Sequence, residues 1–518
     1  MANKTKILWV DDEIDLLKAH ILFLTQKGFE LATAMNGHDA LDIIKKEYFD
    51  IIFLDENMPG MTGIETLGEI KKIKPNVPVV MITKSEEETI MEEAIGSKIA
   101  DYLIKPVNPK QILLSIKKNI DQDKLVTQTT NSAYQSEFAK IGMEISDNMN
   151  MEAWKNVYRK LVYWEIELSG SQDSTMDEVL KMQKESANHA YSRFIRRNYL
   201  SWFKDEDAER PLMSHDLFKK KVFPLLDNGE KVFVLVIDNL RYDQYRTIST
   251  ALSPYYRTID EGLYTSILPT ATMYARNSIF AGLMPSEIER IYPQLWEDDD
   301  NDGHKNQHEE ALLRKQMERF RRSETLFFDK ITNIKAGGRI LDNMKNILSN
   351  DLSVLVVNFV DIMSHARTEM EMIKELANDE KAYRSLTDSW FRNSTLLELL
   401  KRLADEKVKV LLTTDHGSIK VENAIKVVGD RETNTNLRYK LGKNLAYNSK
   451  KVFDVHRPKE ALLPTRNVST SYIFAENNDF LAYPNNYNYY VNYYKNTFQH
   501  GGVSMEEMII PIVTLEPK

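Results

Sequence analysis

Residues 408–418 read VKVLLTTDHGS, an apolar and β-branched run that ends in an aspartate and a histidine. Two further runs end in the same way: VFVLVID at 232–238, and VLVVNFV at 354–360, which Asp361 follows. Short apolar runs of this kind are typical of buried parallel strands. Because parallel strands of one sheet deliver polar side chains at their carboxyl ends, the three runs predict a single site at one edge of an α/β sheet.

Aspartate and histidine recur beyond these strand ends at spacings that suit metal binding. Asp361 and His365 are four residues apart, which on a helix aims both side chains the same way. His500 precedes two glycines that permit a close approach of the backbone. Zinc accepts aspartate and histidine in a tetrahedral shell, and two such ions can hold the attacking and leaving oxygens of a phosphoryl transfer. The candidate metal ligands are Asp238, Thr272, Asp361, His365, Asp415, His416 and His500.

The first 120 residues show a separate pattern in which short apolar runs alternate with amphipathic stretches. This alternation predicts a doubly wound α/β domain. The predicted strands are ILWV (7–10), IIFL (51–54), VPVVMI (77–82) and DYLI (101–104), and the helical stretches are Leu16–Lys27 and Ala40–Tyr48.

Carboxylates and a lysine follow these N-terminal strands. Asp11 and Asp12 come after the first run, Asp55 ends IIFL, and Lys105 follows DYLI. Two carboxylates beside a third make a site for Mg²⁺, and the ion and the ammonium group neutralise a phosphoryl group that passes to the third carboxylate. Single aspartates of this kind are often turn residues or helix caps, but together they predict a phosphoacceptor site.

On these residues the stretch resembles the receiver domain of two-component response regulators. The resemblance implies a flavodoxin-like fold, a bound Mg²⁺ and a partner histidine kinase. It also implies roles for individual residues: Asp55 as the phosphoacceptor, Asp11, Asp12 and Asn57 at the Mg²⁺ site, Lys105 as the phosphate contact, and Thr83 with Tyr102 as the switch pair.

The C-terminal part resembles the alkaline-phosphatase superfamily, in its PglZ-like branch, through the order of its motifs. The resemblance implies two zinc ions, one held by Asp361, His365 and His500, the other by Asp238, Asp415 and His416 with Thr272. LPTATMYA (268–275) is also similar to the nucleophile turn of nucleotide pyrophosphatase/phosphodiesterases. On that match Thr272 is the catalytic nucleophile, and Thr270 is the alternative.

Several residues near these motifs leave two interpretations open. Arg276 and Asn277 either contact phosphate, or Arg276 is a surface charge. His456 in DVHRPK is either a further ligand or structural. A sulfatase is disfavoured because its usual nucleophile derives from cysteine, which this chain lacks. A cofactor-independent phosphoglycerate mutase is disfavoured because its middle domain has no clear counterpart here.

The remaining segments complete a three-domain prediction: a receiver at 1–120, an all-α helical linker bundle at 121–215, and an alkaline-phosphatase-like α/β domain at 216–518. SGSQDST (169–175) is the expected turn within the bundle, and residues 286–350 are expected to form a cap insertion over the site. The stretch YPNNYNYYVNYYKN (483–496) has two interpretations: a loop or edge strand packed by aromatics, or a surface on which nucleobases stack.

Composition narrows the function classes. A formal net charge of −9 argues against a general nucleic-acid coat. The chain has no cysteine, which excludes disulfides, thiolate metal sites and thiol nucleophiles. The longest apolar runs are far shorter than the ~20 residues of a membrane span, so a cytoplasmic protein without membrane insertion is expected. RFIRR (193–197) is too short for a basic recognition helix, so direct DNA binding is not expected.

The whole chain resembles PorX-type response regulators of the type IX secretion system. That resemblance implies homodimerisation on phosphorylation at Asp55 and zinc-dependent hydrolysis of nucleotide-like diesters, including cyclic oligonucleotides. A second hypothesis is a zinc-stabilised binding module, without catalysis, that docks onto a sigma factor or a secretion component.

Overall fold

The structure is a computed structural model of the 518-residue chain. The chain forms two compact units, Met1–Ala133 and Tyr134–Lys518. Within the part that is described, no helix combines the length and the apolar character that crossing a bilayer requires. The described residues are 5–75, 77–84, 99–120, 122–146, 148–170, 175–204, 210–296, 307–332, 334–369, 375, 377, 379–430 and 433–518.

The N-terminal unit contains a parallel sheet in the order β2-β1-β3-β4-β5. This order is that of flavodoxin-like folds, so the predicted receiver fold is confirmed. The central strand β3 is buried along its whole length, which its apolar sequence IIFL requires. The strands are β1 (Lys6–Val10), β2 (Glu30–Ala34), β3 (Ile51–Asp55), β4 (Val79–Thr83) and β5 (Asp101–Ile104), and the described helices are α1 (Lys18–Gln26), α2 (Gly37–Lys46), α3 (Gly63–Ile73) and α4 (Pro109–Ile120).

Three long helices follow, as the loss of strand patterns after residue 120 predicts: α5 (Gln122–Glu144), α6 (Met151–Ser169) and α7 (Thr175–Asn198). The predicted turn at 169–175 lies mostly outside the described residues. From Tyr134 onward these helices share one apolar core with the sheet of the C-terminal unit, because Trp154 and Tyr191 belong to the same buried cluster as Phe233 and Leu412. The linker helices are therefore part of the C-terminal unit's core.

The main sheet of the C-terminal unit has six strands, in the order β7 (Tyr256–Thr265), β18 (Ile509–Pro517), β10 (Lys409–Thr413), β6 (Val232–Ile237), β9 (Leu352–Val357) and β8 (Leu326–Ile331). Strands β10, β6, β9 and β8 are parallel neighbours, and β18 pairs antiparallel with both β10 and β7. Strands β6 and β9 are entirely buried. The three apolar runs of the sequence thus lie side by side as β10, β6 and β9, in one alkaline-phosphatase-like α/β domain.

The remaining elements flank this sheet. The strands of the C-terminal unit are β6 (Val232–Ile237), β7 (Tyr256–Thr265), β8 (Leu326–Ile331), β9 (Leu352–Val357), β10 (Lys409–Thr413), β11 (Ile419–Lys420), β12 (Asn423–Lys426), β13 (Tyr439–Lys443), β14 (Val452–Val455), β15 (Thr470–Ala475), β16 (Asp479–Ala482), β17 (Phe498–Gln499) and β18 (Ile509–Pro517). Its further helices are α8 (Phe223–Asp227), α9 (Tyr242–Leu252), α10 (Thr272–Ala281), α11 (Pro285–Ile291), α12 (Glu309–Arg319), α13 (Ile334–Asp342), α14 (Met344–Ser349), α15 (Phe359–Glu369), α16 (Glu380–Arg392), α17 (Thr395–Asp405), α18 (Tyr487–Tyr494) and α19 (Met505–Met508).

The cap predicted at 286–350 needs correction. Strand β8 lies within that segment and forms the edge of the main sheet beside β9, so this part belongs to the sheet. The acidic run at 297–302 lies outside the described residues. An insertion between β10 and β18 instead carries three small sheets, formed by β11–β17, β12–β16 and β13–β15–β14.

The shared core predicts that the linker helices and the main sheet of the C-terminal unit unfold together. Trp154 is 1% exposed and packs against Tyr191 and Phe194. We expect Trp154→Ala to destabilise the whole C-terminal unit by about 3–5 kcal/mol, as large-to-small core substitutions do. Calorimetry should show one shifted transition. Met182→Ala, at a side chain that is 69% exposed, is the control. An unshifted sheet transition in Trp154→Ala would contradict the shared core.

Candidate active site and phosphoacceptor site

The receiver unit brings three carboxylates and one lysine together at the carboxyl ends of β1, β3 and β5. Oxygens of Asp11, Asp12 and Asp55 lie within 4.8 Å of one another. The Lys105 ammonium lies 2.9 Å from Asp11 Oδ2 and 3.0 Å from Asp55 Oδ2. Asn57 is exposed directly after this strand end. The arrangement suits a hard divalent cation beside an acceptor carboxylate.

The two carboxylate oxygens of Asp55 have different surroundings. Oδ2 faces Lys105, whereas the buried Oδ1 has no hydrogen-bond partner. Burial raises the pKa of Asp55 against the opposing effect of Lys105. Nearby, Tyr102 and Thr83 are joined by a side-chain hydrogen bond, while burial raises the pKa of the tyrosine. The two predicted switch residues are therefore already in contact.

In the C-terminal unit, the predicted ligands converge because their parent elements do. Asp238 follows β6, and Asp415 and His416 follow its parallel neighbour β10. Asp361 and His365 lie one turn apart on α15, which begins after β9 on the other side of β6. Strand geometry thus predicts the convergence of residues that are up to about 180 positions apart.

One ligand set is buried. Asp238, Asp415 and His416 offer donor atoms within 4.8 Å of one another, and all three residues are at most 1% exposed. The Thr272 hydroxyl, on the first residue of α10, lies 3.3 Å from Asp238 Oδ1 and 3.1 Å from His416 Nε2. Asp415 Oδ2 is buried without a hydrogen-bond partner. A metal ion would satisfy that oxygen.

The second ligand set is more open. Donor atoms of Asp361, His365 and His500 also lie within 4.8 Å of one another. Nε2 of His365 is 3.6 Å from Asp361 Oδ2, and Nε2 of His500 is 3.6 Å from Asp361 Oδ1. The His365 side chain is 61% exposed, against 12% for His500. The rings of His500 and His416 stack at 4.3 Å, so the two sets adjoin.

Backbone carbonyls orient His416 and His500. Nδ1 of His416 lies 3.1 Å from the Gly417 carbonyl, and Nδ1 of His500 lies 3.2 Å from the Thr270 carbonyl. Since a carbonyl only accepts, each Nδ1 carries the proton and each Nε2 presents its lone pair to the carboxylates. This is the arrangement found around metal-binding histidines.

Thr270, the alternative nucleophile, has a different position. Its side chain is fully buried, donates to the Gly502 carbonyl at 2.9 Å and accepts from the Gly501 amide at 3.0 Å. Gly501 has a φ of 122°, a conformation that favours glycine. Thr270 therefore fastens the loop that carries His500, and Thr272 alone of the two faces the ligands.

Asn239 joins the two ligand sets, a role that sequence reasoning missed. Its backbone N–H donates to Asp415 Oδ1 at 3.2 Å, and its side-chain Nδ2 donates to Asp361 Oδ1 at 3.3 Å. It adopts a φ of 63°, which asparagine tolerates better than most residues. An asparagine directly after the first strand-end aspartate was the available signal.

Arg276 corrects one interpretation, because it is buried and is therefore not a surface charge. It is 1% exposed, and its Nη1 lies 2.7 Å from Asp238 Oδ2 and 3.7 Å from Asp415 Oδ2. Its Nε lies 2.7 Å from Oε1 of the fully buried Glu309. Asn277 is buried with its side-chain oxygen unpartnered.

The pKa values of the carboxyl groups in the site are shifted in different directions. Burial opposes the charged form of Asp238, but Arg276 and His416 outweigh burial and lower the pKa of that carboxyl. Burial and the charge of Asp238 raise the pKa of Asp415 to about 6, and the same two causes raise that of Asp361. Burial lowers the pKa of His500, which keeps its imidazole neutral. Deprotonated aspartate and neutral histidine are the forms that bind metal.

Both sets therefore fit zinc: each supplies aspartate oxygen and histidine nitrogen at close range. A fourth cluster, of Glu165, Asp243 and Glu380, does not fit a metal as well. Arg384 lies 3.2 Å from Asp243 and also contacts Glu165, and Arg241 pairs with Asp243 at 2.6 Å and with Glu380. These guanidinium groups already neutralise the cluster.

Two other sequence interpretations are changed. His456 is 73% exposed and lies 3.3 Å from Asp454 Oδ2, and it belongs to none of the described ligand clusters. The tyrosine-rich stretch is neither loop nor strand at its centre but the helix α18. Tyr489 stacks on Tyr493 with ring centroids 6.1 Å apart, and Tyr489 is 64% exposed. Base stacking on this face stays a hypothesis.

Three family models match the chain in succession. A response regulator receiver domain matches residues 7–117, and a PorX response regulator linker domain matches residues 124–203. A BREX system PglZ alkaline phosphatase-like domain matches residues 217–515, more than half of the chain. The three matches follow the order of the elements described above.

Individual relatives match over part of the chain. Transcriptional regulatory protein ZraR of Klebsiella oxytoca is 32% identical over 140 residues, which cover 27% of this chain and about a third (32%) of ZraR. The probable transcriptional regulator ycf27 of Porphyra purpurea is 30% identical over 190 residues, 36% of this chain and 74% of that protein. A CheY-like receiver structure from Methanospirillum hungatei JF-1 is 28% identical, with a TM-score of 0.23, and covers 23% of this chain and 96% of its own.

Proposed function

We propose that the output domain is a zinc-dependent phosphodiesterase, because the chain belongs to the PglZ alkaline phosphatase-like family and is a response regulator with a receiver domain. The reaction is hydrolysis of nucleotide-like diesters, with Thr272 as the nucleophile. One zinc ion would be held by Asp238, Asp415 and His416 with Thr272, and the other by Asp361, His365 and His500.

One observation carries this proposal: a threonine hydroxyl lies against the buried ligand set, and the second ligand set adjoins that one. Thr272 Oγ1 is 3.1 Å from His416 Nε2, and the His416 ring stacks on His500 of the other set at 4.3 Å. A hydroxyl group beside one metal site, with a second metal site adjoining it, suits phosphoryl transfer assisted by two metals. A purely structural zinc site would not need a hydroxyl group there.

The reaction that follows has two balanced steps. Bound divalent ions lower the pKa of a coordinated hydroxyl and neutralise charge on the phosphoryl group. Thr272 Oγ1 attacks phosphorus, the bond to the departing oxygen breaks, and the threonine proton passes through solvent to that oxygen, which yields a phosphothreonine diester and a free alcohol. Water then attacks the same phosphorus, the bond to Oγ1 breaks, a proton from that water returns to Oγ1, and a phosphate monoester is released. Asn239 holds both ligand sets in place meanwhile.

The receiver supplies the control. A receiver domain implies phosphorylation by a histidine kinase. We propose Asp55 as the acceptor, with Mg²⁺ between Asp12, Asp55 and the Asn57 carbonyl, assisted by Asp11. Lys105 would contact the phosphoryl group and Thr83 would turn toward it, which releases its hydrogen bond to Tyr102. Homodimerisation would follow.

We also propose a role in regulating type IX secretion, which the resemblance of the whole chain to PorX-type regulators implies. The match of residues 124–203 to a PorX response regulator linker domain supports that resemblance. Cyclic oligonucleotides are among the diesters that the resemblance suggests. A sigma factor or a secretion component is the proposed protein partner.

Metal removal tests the proposal. We expect two zinc ions per chain, and chelation should abolish hydrolysis until zinc is restored. The ion bound by the set with His365 should leave first, because that side chain is 61% exposed whereas the buried set is at most 2% exposed. Atomic emission analysis during dialysis against a chelator, alongside residual activity, should show two phases of zinc loss.

Two histidine variants give that experiment a matched comparison. His365→Ala should lower the zinc content from two ions to one. His456→Ala should leave it unchanged, because this histidine, which is also exposed, belongs to neither ligand set. Two ions retained in His365→Ala would contradict the assignment of the open site.

A further inference from the structure

The two oxygens of Asp238 have different surroundings. Oδ1 faces the reaction centre, 3.3 Å from the Thr272 hydroxyl and 3.8 Å from His416 Nε2. Oδ2 lies 2.7 Å from Arg276 Nη1. One oxygen is thus available to a metal, and the other is already engaged.

Arg276 is itself held from several directions. Its Nε donates to Glu309 Oε1 at 2.7 Å, and its Nη1 donates to Asn358 Oδ1 at 3.4 Å. The other oxygen of Glu309 lies 2.5 Å from the Lys330 ammonium, on strand β8. Arg276 and Glu309 are both at most 1% exposed, so the guanidinium has little freedom to move.

We propose that Arg276, clamped by Glu309, is a positioning residue that commits Asp238 to the buried metal through Oδ1 alone. The inference rests on the proposed function, since it concerns one of its metal sites. It assigns a role to Arg276 and to Glu309. A carboxylate whose second oxygen is held by a guanidinium group is restricted in its rotation and is disfavoured from chelating through both atoms, and contacts of this type set the geometry of metal ligands.

A simpler electrostatic explanation predicts the opposite sign. A guanidinium 2.7 Å from one ligand carboxylate and 3.7 Å from another repels an incoming divalent cation. If charge alone mattered, removal of Arg276 would tighten zinc binding. If orientation dominates, the same removal loosens binding, because Asp238 loses the group that aims it. The direction of the change therefore separates the two explanations.

The experiment is a zinc titration of metal-free full-length protein against a chromophoric chelator, which resolves the two sites without any substrate. We expect Arg276→Gln to weaken the tighter, buried site by about 10–100-fold, the usual effect of losing an outer-shell partner. Arg276→Lys, which keeps the charge but loses the forked geometry, should recover part of that loss. The open site should keep its affinity.

Arg210→Gln is the matched control, because it breaks another arginine–aspartate pair, with Asp216, outside the ligand sets. It should leave both affinities unchanged. Unchanged or tighter zinc binding in Arg276→Gln overturns the inference. If that variant does not fold, Arg276→Lys decides: wild-type affinity there also overturns it. A wild type that binds no zinc would refute the proposed function as well, so the two failures are distinguishable.

Discussion

Thr272→Ala is expected to lose phosphodiester hydrolysis almost completely. The substitution removes the attacking oxygen, and loss of a catalytic nucleophile reduces kcat by about 10³-fold or more. The fold should survive, because the hydroxyl lies at the half-buried start of α10 and the alanine keeps the helix. Steady-state rates on bis-p-nitrophenyl phosphate, with zinc present in excess, measure the effect.

Two comparisons make this result specific. Thr272→Ser keeps a hydroxyl at the same place and should retain most of the activity. Zinc content should stay at two ions in Thr272→Ala, because aspartates and histidines supply the other ligands. Diester cleavage at an undiminished rate in Thr272→Ala would show that Thr272 is not the nucleophile.

Asp55→Asn is expected to eliminate phosphoryl uptake by the receiver. The amide lacks the nucleophilic oxygen that Asp55 Oδ1 provides, and that oxygen is the one without a hydrogen-bond partner. Incubation with acetyl phosphate and Mg²⁺ should therefore label the wild type and leave the variant unlabelled. Intact-protein mass spectrometry detects the bound phosphoryl group directly.

The same samples test the proposed coupling. Wild-type protein should shift from monomer to dimer under acetyl phosphate in size-exclusion chromatography with light scattering, and Asp55→Asn should not. Asp42→Asn, at a side chain that is 70% exposed on α2, is the control and should behave as the wild type. An Asp55 variant that dimerises as readily as the wild type would contradict the proposed control of dimerisation by phosphorylation.

The convergence of most candidate ligands could be predicted because it depends on local rules, whereas their division into two sets comes only from the family resemblance. Asp238 and Asp415 end neighbouring parallel strands, and such ends meet at one edge of a sheet. Asp361 and His365 share a helical face at a spacing of four. These rules operate within a strand, a turn of helix or an adjacent pair of strands, so their outcome can be predicted from the amino-acid sequence.

The contacts that surround the ligand sets, such as the pairing of Arg276 with Glu309, could not be predicted, because they depend on tertiary packing. Glu309 lies 33 residues beyond Arg276 in a charged segment, and nothing local pairs the two. Strand β8 (LFFDKI) lies at a sheet edge and carries charged residues, so its sequence pattern does not indicate a strand and the segment is predicted to be a helical insertion. Helix α18 is rich in tyrosine and asparagine, which are poor helix formers. It is held by packing of Tyr487 and Val491 on a small buried cluster.

The most direct test of the central claim is the rate at which the zinc-loaded wild-type protein cleaves bis-p-nitrophenyl phosphate compared with p-nitrophenyl phosphate. We predict zinc-dependent cleavage of the diester, faster than that of the monoester. No cleavage of either ester by protein that carries two zinc ions per chain would contradict a phosphodiesterase, and would favour a zinc-stabilised module that signals by binding a partner.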